Sequence, residues 1–318
     1  MECAPECVRS VSAIQNKRKK RVVASSISVK EFFDLFIEEI GNNPELQKYY
    51  KFPKSPGWYG LRKSYFCKRL EYIYSKVGEM MQSKEDFRVW DCGCGFGTTS
   101  IFLALNGIRV HGTTIGELYM QGIEKRKEFW CKYGDIDSFT ASYEYLPDSY
   151  QAASSYDAII IQDTLHHLEP LQEILEILYK ILKPDGKLIV LEANGKNIIH
   201  MARNYLRRGN RRIIERHDER LNKTILYGNE NCRGTDVWRK EFMKKGFQID
   251  TNVEYIKFLP PCVYTKENMD EIYNFEQQVA QKFSRMKEFF FFGLNFTVSK
   301  VILNEKIEGS KGWDLHES

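Results

Sequence analysis

The chain has 318 residues, of which 42% are hydrophobic and 28% charged, and its formal net charge is +4. This composition is ordinary for a globular protein with room for one large core and a cap, and the charge permits an acidic partner without requiring one. No run approaches the ~18 apolar residues of a membrane-spanning helix, and residues 1–20 lack the apolar stretch of a secretory signal.

The first 27 residues predict a flexible arm, in which 17–21 is a run of five cations. Such a run is usually a solvated tail, although it can contact nucleic acid or anionic lipid. Apolar residues recur at helical spacing over 29–40, which predicts a short amphipathic helix. A loop rich in proline, glycine and aromatic residues follows at 52–60, and a second helix is predicted over 61–81.

The middle of the chain alternates short apolar strands with helices. We predict strands over 87–90, 109–112, 139–141, 156–161 and 187–191, and helices over 98–106, 121–133 and 171–182. Strands that alternate with helices of this length indicate a parallel sheet covered by helices on both faces. The continuous apolar run at 158–161 suits a strand that is buried on both sides.

The regular alternation ends after residue 191. Polar loops and one arginine-rich helix are predicted within 193–234. A helix over 236–245 and strands over 247–258 and 289–301 then complete the sheet. A long helix over 266–287 is predicted between these last two strands, where it would add to the cap.

The clearest chemical signal is an apolar strand that runs into a glycine-rich turn and then a helix. The stretch is Val89-Trp90-Asp91-Cys92-Gly93-Cys94-Gly95-Phe96-Gly97. Glycines let the backbone approach a ligand closely, and the turn aims free N–H groups of the helix N-terminus at it. Thr98 stands where a nicotinamide-binding G-x-G-x-x-G would place its third glycine. Asp91 suits a cationic ligand better than a pyrophosphate, and S-adenosylmethionine carries an ammonium and a sulfonium.

With this motif, the chain resembles the class I S-adenosylmethionine-dependent methyltransferase family. Residues 156–168 are similar to the family's fourth strand with its LHH tail, and 182–190 to its LKPGG turn into the fifth strand. The resemblance implies S-adenosylmethionine as cofactor and an α/β fold. That fold is a Rossmann-like parallel sheet of seven strands with a final antiparallel strand and helices on both faces. The motifs specify the fold and cofactor but not the methyl acceptor.

The corresponding domain organisation is a basic arm, a helical cap, a cofactor-binding domain that carries one insertion, and a tail. The predicted bounds are 1–27 for the arm, 28–82 for the cap, 83–192 with 235–305 for the cofactor-binding domain, 193–234 for the insertion and 306–318 for the tail.

The resemblance places cofactor contacts in the glycine turn and at the ends of the neighbouring strands. These are Asp91, Gly93, Gly95, Gly97, Thr98, Thr114, Gln121, Ser142, Tyr143, Gln162 and Asp163. Where the family usually has an acid for the ribose, this chain has Thr114. That is similar to the cyclopropane-synthase-like and isoprenoid or sterol C-methyltransferase branch, in which a Thr and a downstream Gln, here Gln121, hold the ribose. Ser142 stands where an Asp often meets the adenine, with Tyr143 or Glu144 as compensating residues.

Three side chains at the ends of the fourth and fifth strands are candidate catalytic groups: His166, His167 and Glu192. Methyl transfer from a sulfonium requires a nucleophile held in line and, for a weak nucleophile, a base. Imidazole titrates near neutrality, so either histidine could be that base. Glu192 could orient an amine or steady a carbocation. The alternatives are a structural histidine pair and a helix-capping acid.

Arginines and aromatic residues are the candidate substrate contacts. On a helix, and unless Gly209-Asn210 breaks it, the arginines would form two neighbouring rows, Arg203, Arg207 and Arg211 in one and Arg208, Arg212, Arg216 and Arg220 in the other. Such a basic face could bind a diphosphate, a phospholipid headgroup or a nucleic-acid backbone, and its alternative is a solvated helix. The residues predicted to contact substrate are Trp58, Tyr59, Tyr65, Arg207 and Arg211. Phe289–Phe292 is predicted to be core at the start of the last strand.

Eight cysteines are scattered along the chain, and none forms a CxxC pair. This pattern indicates reduced thiols in a cytoplasmic protein and argues against a zinc site or a redox dithiol. No other metal site is visible in the sequence.

We therefore expect a methyltransferase that acts on a small organic, apolar or lipid-like acceptor. The first alternative is an RNA methyltransferase, supported by the basic arm and the arginine rows, which would bind nucleic acid in a salt-dependent way. DNA is not an expected partner, because 162–165 lacks the Asn/Asp-Pro-Pro-aromatic motif. The second alternative is a non-catalytic S-adenosylmethionine-binding partner protein, because two acidic positions are missing. Peripheral membrane contact stays open, and the oligomeric state is unknown.

Overall fold

The structure is a computed structural model that describes residues 26–52, 55–82, 84, 86–265 and 268–301. The predicted run of cations at 17–21 and the predicted tail lie outside these residues. Among the helices described, none combines the length and the apolar character needed to cross a membrane.

Among the described residues, eight strands form one central sheet. They are β1 (Arg88–Cys92), β2 (Arg109–Thr114), β3 (Phe139–Tyr143), β4 (Tyr156–Gln162), β5 (Leu182–Ala193), β8 (Phe247–Ile249), β9 (Glu254–Ile256) and β10 (Gly293–Lys300). Their order across the sheet is β3-β2-β1-β4-β5-β10-β8, and β9 also pairs with β10. Strands β1 to β5 run parallel, whereas β10 is antiparallel to β5. The predicted Rossmann-like sheet with an antiparallel final strand is therefore confirmed.

Helices cover this sheet and build the cap. They are α1 (Val29–Asn42), α2 (Pro44–Tyr50), α3 (Pro56–Met81), α4 (Thr98–Leu105), α5 (Glu117–Trp130), α6 (Leu171–Ile181), α7 (Ile198–Arg208), α8 (Thr235–Met243), α9 (Met269–Lys282) and α10 (Lys287–Phe290). A separate hairpin of β6 (Ile213–Asp218) and β7 (Lys223–Gly228) follows α7.

Alternation along the central strands divides the core into two halves. In β4, Ala158 and Ile160 belong to the apolar cluster that also contains residues of α1, α3 and α4. Ile159 and Ile161, which point to the opposite face, belong to the cluster that contains α6 and α8. Both faces of β4 are covered, which is why its sequence is a continuous apolar run.

Local chemistry fixes where α1 begins. The Ser28 hydroxyl accepts from the Glu31 backbone N–H at 3.2 Å, and the Glu31 carboxylate accepts from the Ser28 backbone N–H at 2.9 Å. This reciprocal capping box satisfies two backbone donors at the helix N-terminus. The prediction of an amphipathic helix from Val29 is confirmed, and the structure extends it to Asn42.

The prediction of one strand over 247–258 is wrong, because the chain leaves the sheet in the middle of this segment. Two short strands replace the predicted one, so the described sheet has eight strands instead of seven. Asp250 ends β8, and its carboxylate accepts hydrogen bonds from the side chains of Lys187, Thr297 and Ser299. The chain leaves the ladder there and returns to β10 as β9.

The prediction that Phe289–Phe292 begins the last strand is also wrong. Residues 287–290 form the short helix α10, and the strand begins at Gly293. The Asn194 amide donates to the backbone carbonyls of Glu288 and Phe291, at 2.8 and 2.9 Å. These bonds hold the segment in a turn, in which Phe289 and Phe290 are exposed and Phe291 is buried. The prediction that this segment is core is therefore right for Phe291 and wrong for Phe289 and Phe290. The predicted helix over 266–287 is correspondingly shorter, at Met269–Lys282.

The prediction of one arginine-rich helix is wrong beyond Arg208. Helix α7 ends there, because Gly209 has φ of 59° and ψ of −139°, a conformation that glycine allows and through which an α-helix cannot continue. The chain then enters the β6–β7 hairpin, so Arg216 lies on a strand. The regular spacing of the arginines continues across two kinds of secondary structure and does not form two helical rows.

Candidate functional site

The glycine turn between β1 and α4 opens onto a cleft at the carboxyl edge of the sheet. Gly93 has φ of 80°, and a Cβ built on it would lie 2.3 Å from the Thr164 methyl group, so this position requires glycine. A Cβ on Gly95 would meet only the Tyr49 hydroxyl, at 3.7 Å. The turn therefore presents open backbone to the cleft at Gly95.

On one side of the turn lies a cavity of about 360 Å³, here called the charged cavity, between the turn and the cap helix α3. Among the described residues, the acidic and basic side chains that line it are Asp91, Asp163, Arg62, Arg69 and Lys257. Carboxylates and cations thus face the same space, and the cavity can hold a ligand that carries both signs of charge.

Asp91 lies at the bottom of the charged cavity, 2% exposed. Its carboxylate accepts a hydrogen bond from the Ser100 hydroxyl at 2.6 Å. Burial raises the pKa of Asp91 to about 6, and the bonds to Ser100 only partly offset it. A positive charge placed near Asp91 would favour its ionised form and thus lower its pKa.

Two opposite charges form the cavity wall opposite the turn. Arg69 donates from Nη1 to Asp163 Oδ2 at 2.5 Å. Burial would raise the pKa of Asp163, but Arg69 outweighs it and holds the pKa below its usual range. Burial, followed by repulsion from Arg62, lowers the pKa of Lys257 to about 8 although Asp163 favours its charged form. The groups near Lys257 therefore do not fully compensate its positive charge, and a bound anion would stabilise its charged form.

On the other side of the turn lies a smaller cavity of about 180 Å³, here called the threonine cavity. Thr114 and Ile115 at the end of β2 line it, together with Glu144 and Leu146 after β3. Tyr49, Gly93, Gly95, Asp163 and Thr164 line both cavities. The two cavities are thus halves of one cleft along the glycine turn, comparable in size to the ~300–1,000 Å³ of small-molecule sites.

The cleft fits S-adenosylmethionine. The amino-acid end of that molecule carries an ammonium and a carboxylate, which match the carboxylates and cations of the charged cavity. The open side of Gly95 would let a ligand lie against the backbone. The threonine cavity offers hydroxyl, carboxylate and apolar groups for an adenosine, at the place where sequence analysis puts it.

Seven of the predicted cofactor residues line the cleft. Asp91, Gly93, Gly95, Thr98, Gln162 and Asp163 line the charged cavity, and Thr114 lines the threonine cavity. The other four do not line it. Gly97 faces Phe139 in the core, and Gln121 is exposed on α5 and bonds Glu117. The Ser142 hydroxyl bonds His111, and the Tyr143 hydroxyl bonds Asp218. After β3, Glu144 lines the threonine cavity, whereas Ser142 does not.

Of the three candidate catalytic groups, Glu192 is enclosed. It is 1% exposed, and its Oε1 accepts from the backbone N–H groups of Thr164 and Leu165, at 3.0 and 2.6 Å. Its Oε2 lies 2.6 Å from His166 Nδ1. Burial alone would lower the pKa of His166, but Glu192 outweighs it and raises the pKa to about 9. The hydrogen bonds of Glu192 thus stabilise the turn after β4, and its carboxylate does not face the cleft.

His167 is the candidate that lines the cleft, at the edge of the threonine cavity. Its Nδ1 lies 2.6 Å from the carbonyl oxygen of Gly228, and its ring stacks on Tyr227 with centroids 4.5 Å apart. Burial, and then the neighbouring His166, lower the pKa of His167. The ring is therefore held in a fixed orientation by the β6–β7 hairpin and is neutral at neutral pH.

A third cavity, here called the apolar cavity, lies beside α7 and has a volume of about 690 Å³. Ile198, Met201 and Tyr205 of α7 line it, with Phe289 opposite. The buried Asn204 also lines it, and the Asn204 Oδ1 atom has no hydrogen-bond partner among the described residues. The cavity can hold an apolar molecule that offers one hydrogen-bond donor.

The predicted substrate contacts divide between several places. Arg207 and Arg211 border a fourth hollow, of about 470 Å³, below the apolar cavity. Tyr65 lines the charged cavity. Trp58 is 54% exposed, and Tyr59 packs against Phe33 and Phe52, so neither lines the cleft.

Sequence reasoning missed Arg62, Arg69 and Lys257. The two arginines are seven residues apart on α3 and therefore lie on one helix face, a spacing that could have flagged them. Lys257 follows a strand at the far edge of the sheet and has no local signal. Tyr49 was missed because helix α2, which carries it, was not predicted.

A scan against protein-family models matches residues 90–188 to the family described as "Methyltransferase domain". A sterol methyltransferase-like protein 2 of Botryococcus braunii is 27% identical over 49% of this chain and 36% of its own length. A ubiquinone biosynthesis O-methyltransferase of Rickettsia bellii is 24% identical over 48% of this chain and 63% of its own length. The matched region thus spans less than two thirds of the length of each of these two relatives. A solved S-adenosylmethionine-dependent methyltransferase of Methanosarcina mazei is 19% identical, with a TM-score of 0.47 over 69% of this chain and 94% of that one.

The family match begins within β1 and ends within β5, so it includes the glycine turn and β2 to β4, and the predicted antiparallel final strand is present. The chain therefore contains a class I S-adenosylmethionine-dependent methyltransferase domain, with S-adenosylmethionine as its cofactor.

Proposed function

We propose that the protein transfers a methyl group from S-adenosylmethionine to a small apolar acceptor that carries one polar, methyl-accepting group. The observation that carries this proposal is the adjacency of two different spaces. A charged cleft runs along the glycine turn, and a larger apolar cavity lies beside α7. His167 borders the first space and Glu230 the second.

The residues of the charged cavity would hold the amino-acid end of the cofactor. Asp91 and Asp163 are placed to pair with its ammonium, and Arg62 and Lys257 with its carboxylate. Thr114 and Glu144 would contact the adenosine in the threonine cavity. When bound, the cofactor supplies an electrophilic methyl group on its sulfonium. The task left to the chain is to hold the acceptor in line and keep water away.

The candidate catalytic groups would then have different roles. Glu192 is a positioning residue, because its carboxylate bonds two backbone N–H groups and the His166 ring. His167 lines the cleft, and one of its ring nitrogens lies within 4.8 Å of the carboxylate of Glu230, which borders the space proposed for the acceptor. Since its ring orientation is fixed by Gly228 and Tyr227, it can act only on a group at one place in the cleft.

The acceptor would occupy the apolar cavity. Its apolar lining from α7 favours a hydrocarbon body, and the unpaired Asn204 Oδ1 favours a hydroxyl or amine donor. Two relatives are named for sterol and ubiquinone, which agrees with an apolar acceptor. In this proposal, the predicted cap over 28–82 would contribute α3 to the charged cavity, and the predicted insertion over 193–234 would contribute α7 to the apolar cavity.

A substrate screen with two matched variants tests the proposal. Full-length protein is incubated with S-adenosylmethionine and a panel of sterols, prenylated phenols and polar amines, and methylated products are measured by mass spectrometry. We expect turnover with apolar hydroxylated acceptors. It should be lost in Met201→Glu, which charges the apolar cavity, and kept in Leu206→Glu, which lies on the same helix at 85% exposure. Turnover of polar amines alone, or equal loss in both variants, would contradict the proposal.

A further inference from the structure

Three polar side chains meet beside the cleft, where the β6–β7 hairpin contacts the turn after β4. His166 and His167 lie in the 3-10 turn Leu165–His167 that follows β4, and Glu230 lies in the loop that follows β7. One ligand atom from each lies within 4.8 Å of the other two. Segments that are more than 60 residues apart in sequence therefore place two imidazoles and one carboxylate around one point.

Both imidazoles are held by acceptors at the same ring nitrogen. His166 Nδ1 lies 2.6 Å from Glu192 Oε2, and His167 Nδ1 lies 2.6 Å from the Gly228 carbonyl oxygen. In each ring this leaves Nε2 without a hydrogen bond to any other described residue. A histidine that binds a metal commonly donates its other N–H to a carboxylate or a backbone carbonyl, which fixes the ring and its tautomer. Both rings have this arrangement.

Glu230 supplies the carboxylate and has a strained backbone conformation. Its φ is 52°, in the left-handed region that residues with a side chain rarely occupy. Within the described part of the chain its carboxylate has neither a hydrogen bond nor an ion pair, although its backbone carbonyl accepts from Arg208 at 3.2 Å. Such backbone strain is typically found at functional sites, where the surrounding structure holds it.

The three residues lie where two of the cavities meet. His167 lines the threonine cavity, whereas Glu230 lines the apolar cavity. The point between them is therefore the junction of the cleft and the space assigned to the acceptor.

We propose that His166, His167 and Glu230 bind one divalent first-row transition-metal ion at this junction. Two imidazoles and one carboxylate are a known ligand set for such ions and leave further coordination positions open. An open position here would face the acceptor's polar group, so that the ion could bind it and favour its deprotonation. This role rests on the proposed function, whereas the binding of the ion does not.

A second possible set of metal ligands also contains Glu230 and is the main alternative to the proposed site. His200, Glu230 and Cys232 also bring their ligand atoms within 4.8 Å of one another. In this set, His200 Nε2 faces Cys232 Sγ at 3.7 Å. No carboxylate or carbonyl among the described residues accepts a hydrogen bond from the other ring nitrogen of His200. The histidine pair has the supporting contacts that a metal site requires, and His200 lacks them.

Metal titration of the full-length, tag-free protein tests the proposal. The protein is first treated with a chelator and then titrated with Co²⁺, followed by visible absorption, and with Zn²⁺, followed by calorimetry. We expect one equivalent of each ion per chain. In His167→Gln and Glu230→Gln the affinity should fall at least about tenfold, as expected when a ligand is lost. The second variant removes the charge while keeping the shape, so it limits the effect on folding.

The control variants are His200→Ala, from the competing set, and His111→Ala, from strand β2. Both should bind Co²⁺ with wild-type affinity. Absence of a stoichiometric site in the wild type, unchanged affinity in Glu230→Gln, or a loss in His200→Ala as large as that in His167→Gln would overturn the proposal. Cofactor binding is measured separately by calorimetry. Failure of the metal site with normal cofactor binding leaves the proposed function intact, and loss of cofactor binding in the wild type would overturn the proposed function instead.

Discussion

Arg126 of α5 and Glu39 of α1 form a two-point ion pair in the interior of the protein. Nε and Nη2 of Arg126 donate to Oε1 and Oε2 of Glu39, at 2.8 and 2.7 Å. Arg126 Nη1 also donates to the backbone carbonyl of Phe96 and to the Thr98 hydroxyl, at 2.8 and 2.6 Å. This pair therefore connects the cap directly to the glycine turn.

The first prediction concerns this ion pair. Glu39→Gln should lower the free energy of unfolding by about 3–5 kcal/mol, because it leaves the buried Arg126 charge without its partner. Glu45→Gln in the same cap is the control, since Glu45 lies 3.5 Å from the exposed Lys125 and should contribute less than ~1 kcal/mol. Urea denaturation measures both. Equal effects of the two substitutions would show that the pair does not secure the cap.

The second prediction concerns Asp91 and the stability of the free protein. Because burial raises its folded pKa to about 6, above the unfolded value, the contribution of Asp91 is present in full below pH 4 and is lost as the pH rises through 6. In Asp91→Asn the amide oxygen can still accept from Ser100, and no buried charge is formed. We expect this variant to have a higher melting temperature than the wild type at pH 7.5 and a similar one at pH 4. A lower melting temperature at pH 7.5 would contradict this.

The third prediction concerns the pH dependence of cofactor affinity. Affinity should rise as the pH increases through about 6, because Asp91 becomes a carboxylate. It should fall above about 8, because Lys257 and the ammonium group of the cofactor both lose their charge there. Calorimetry between pH 5 and 9 measures this profile. Asp91→Asn should flatten only the acid limb, and Lys257→Gln only the alkaline limb. A profile without these limbs in the wild type would place both residues outside the cofactor site.

The fourth prediction compares two glycines that share a left-handed backbone. Gly95 faces the cleft, whereas Gly107 has φ of 76° and no atom within 4 Å of a Cβ, in a turn after α4. Gly95→Ala and Gly107→Ala should each lower stability by roughly 1 kcal/mol from backbone strain. Only Gly95→Ala should weaken cofactor binding, by at least about tenfold, because its methyl group occupies cofactor space. If Gly107→Ala weakened binding as much, the effect would be one of folding.

The parts of this account that could be predicted from sequence are those encoded locally. The glycine turn, with Asp91 before it and Thr98 after it, lies in one short stretch, and the strand periodicity around it indicates a parallel sheet. The antiparallel final strand and the cofactor came from the family resemblance and not from periodicity.

The parts that could not be predicted depend on contacts between distant segments. Arg69 reaches Asp163 across 94 positions, and Glu230 meets the histidine pair only because the β6–β7 hairpin folds back onto the turn after β4. The arginine repeat of four continues unchanged through Gly209, where the helix ends, so this spacing alone does not define the extent of the helix.

The most direct test of the central claim is calorimetric titration of the full-length protein with S-adenosylmethionine, comparing the wild type with Asp91→Ala and Lys257→Gln. The account predicts one binding site per chain, with affinity weakened at least about tenfold in each variant, since each removes a charge-assisted contact. No binding to the wild type, or equal affinity in all three proteins, would contradict the assignment of the charged cavity to the cofactor.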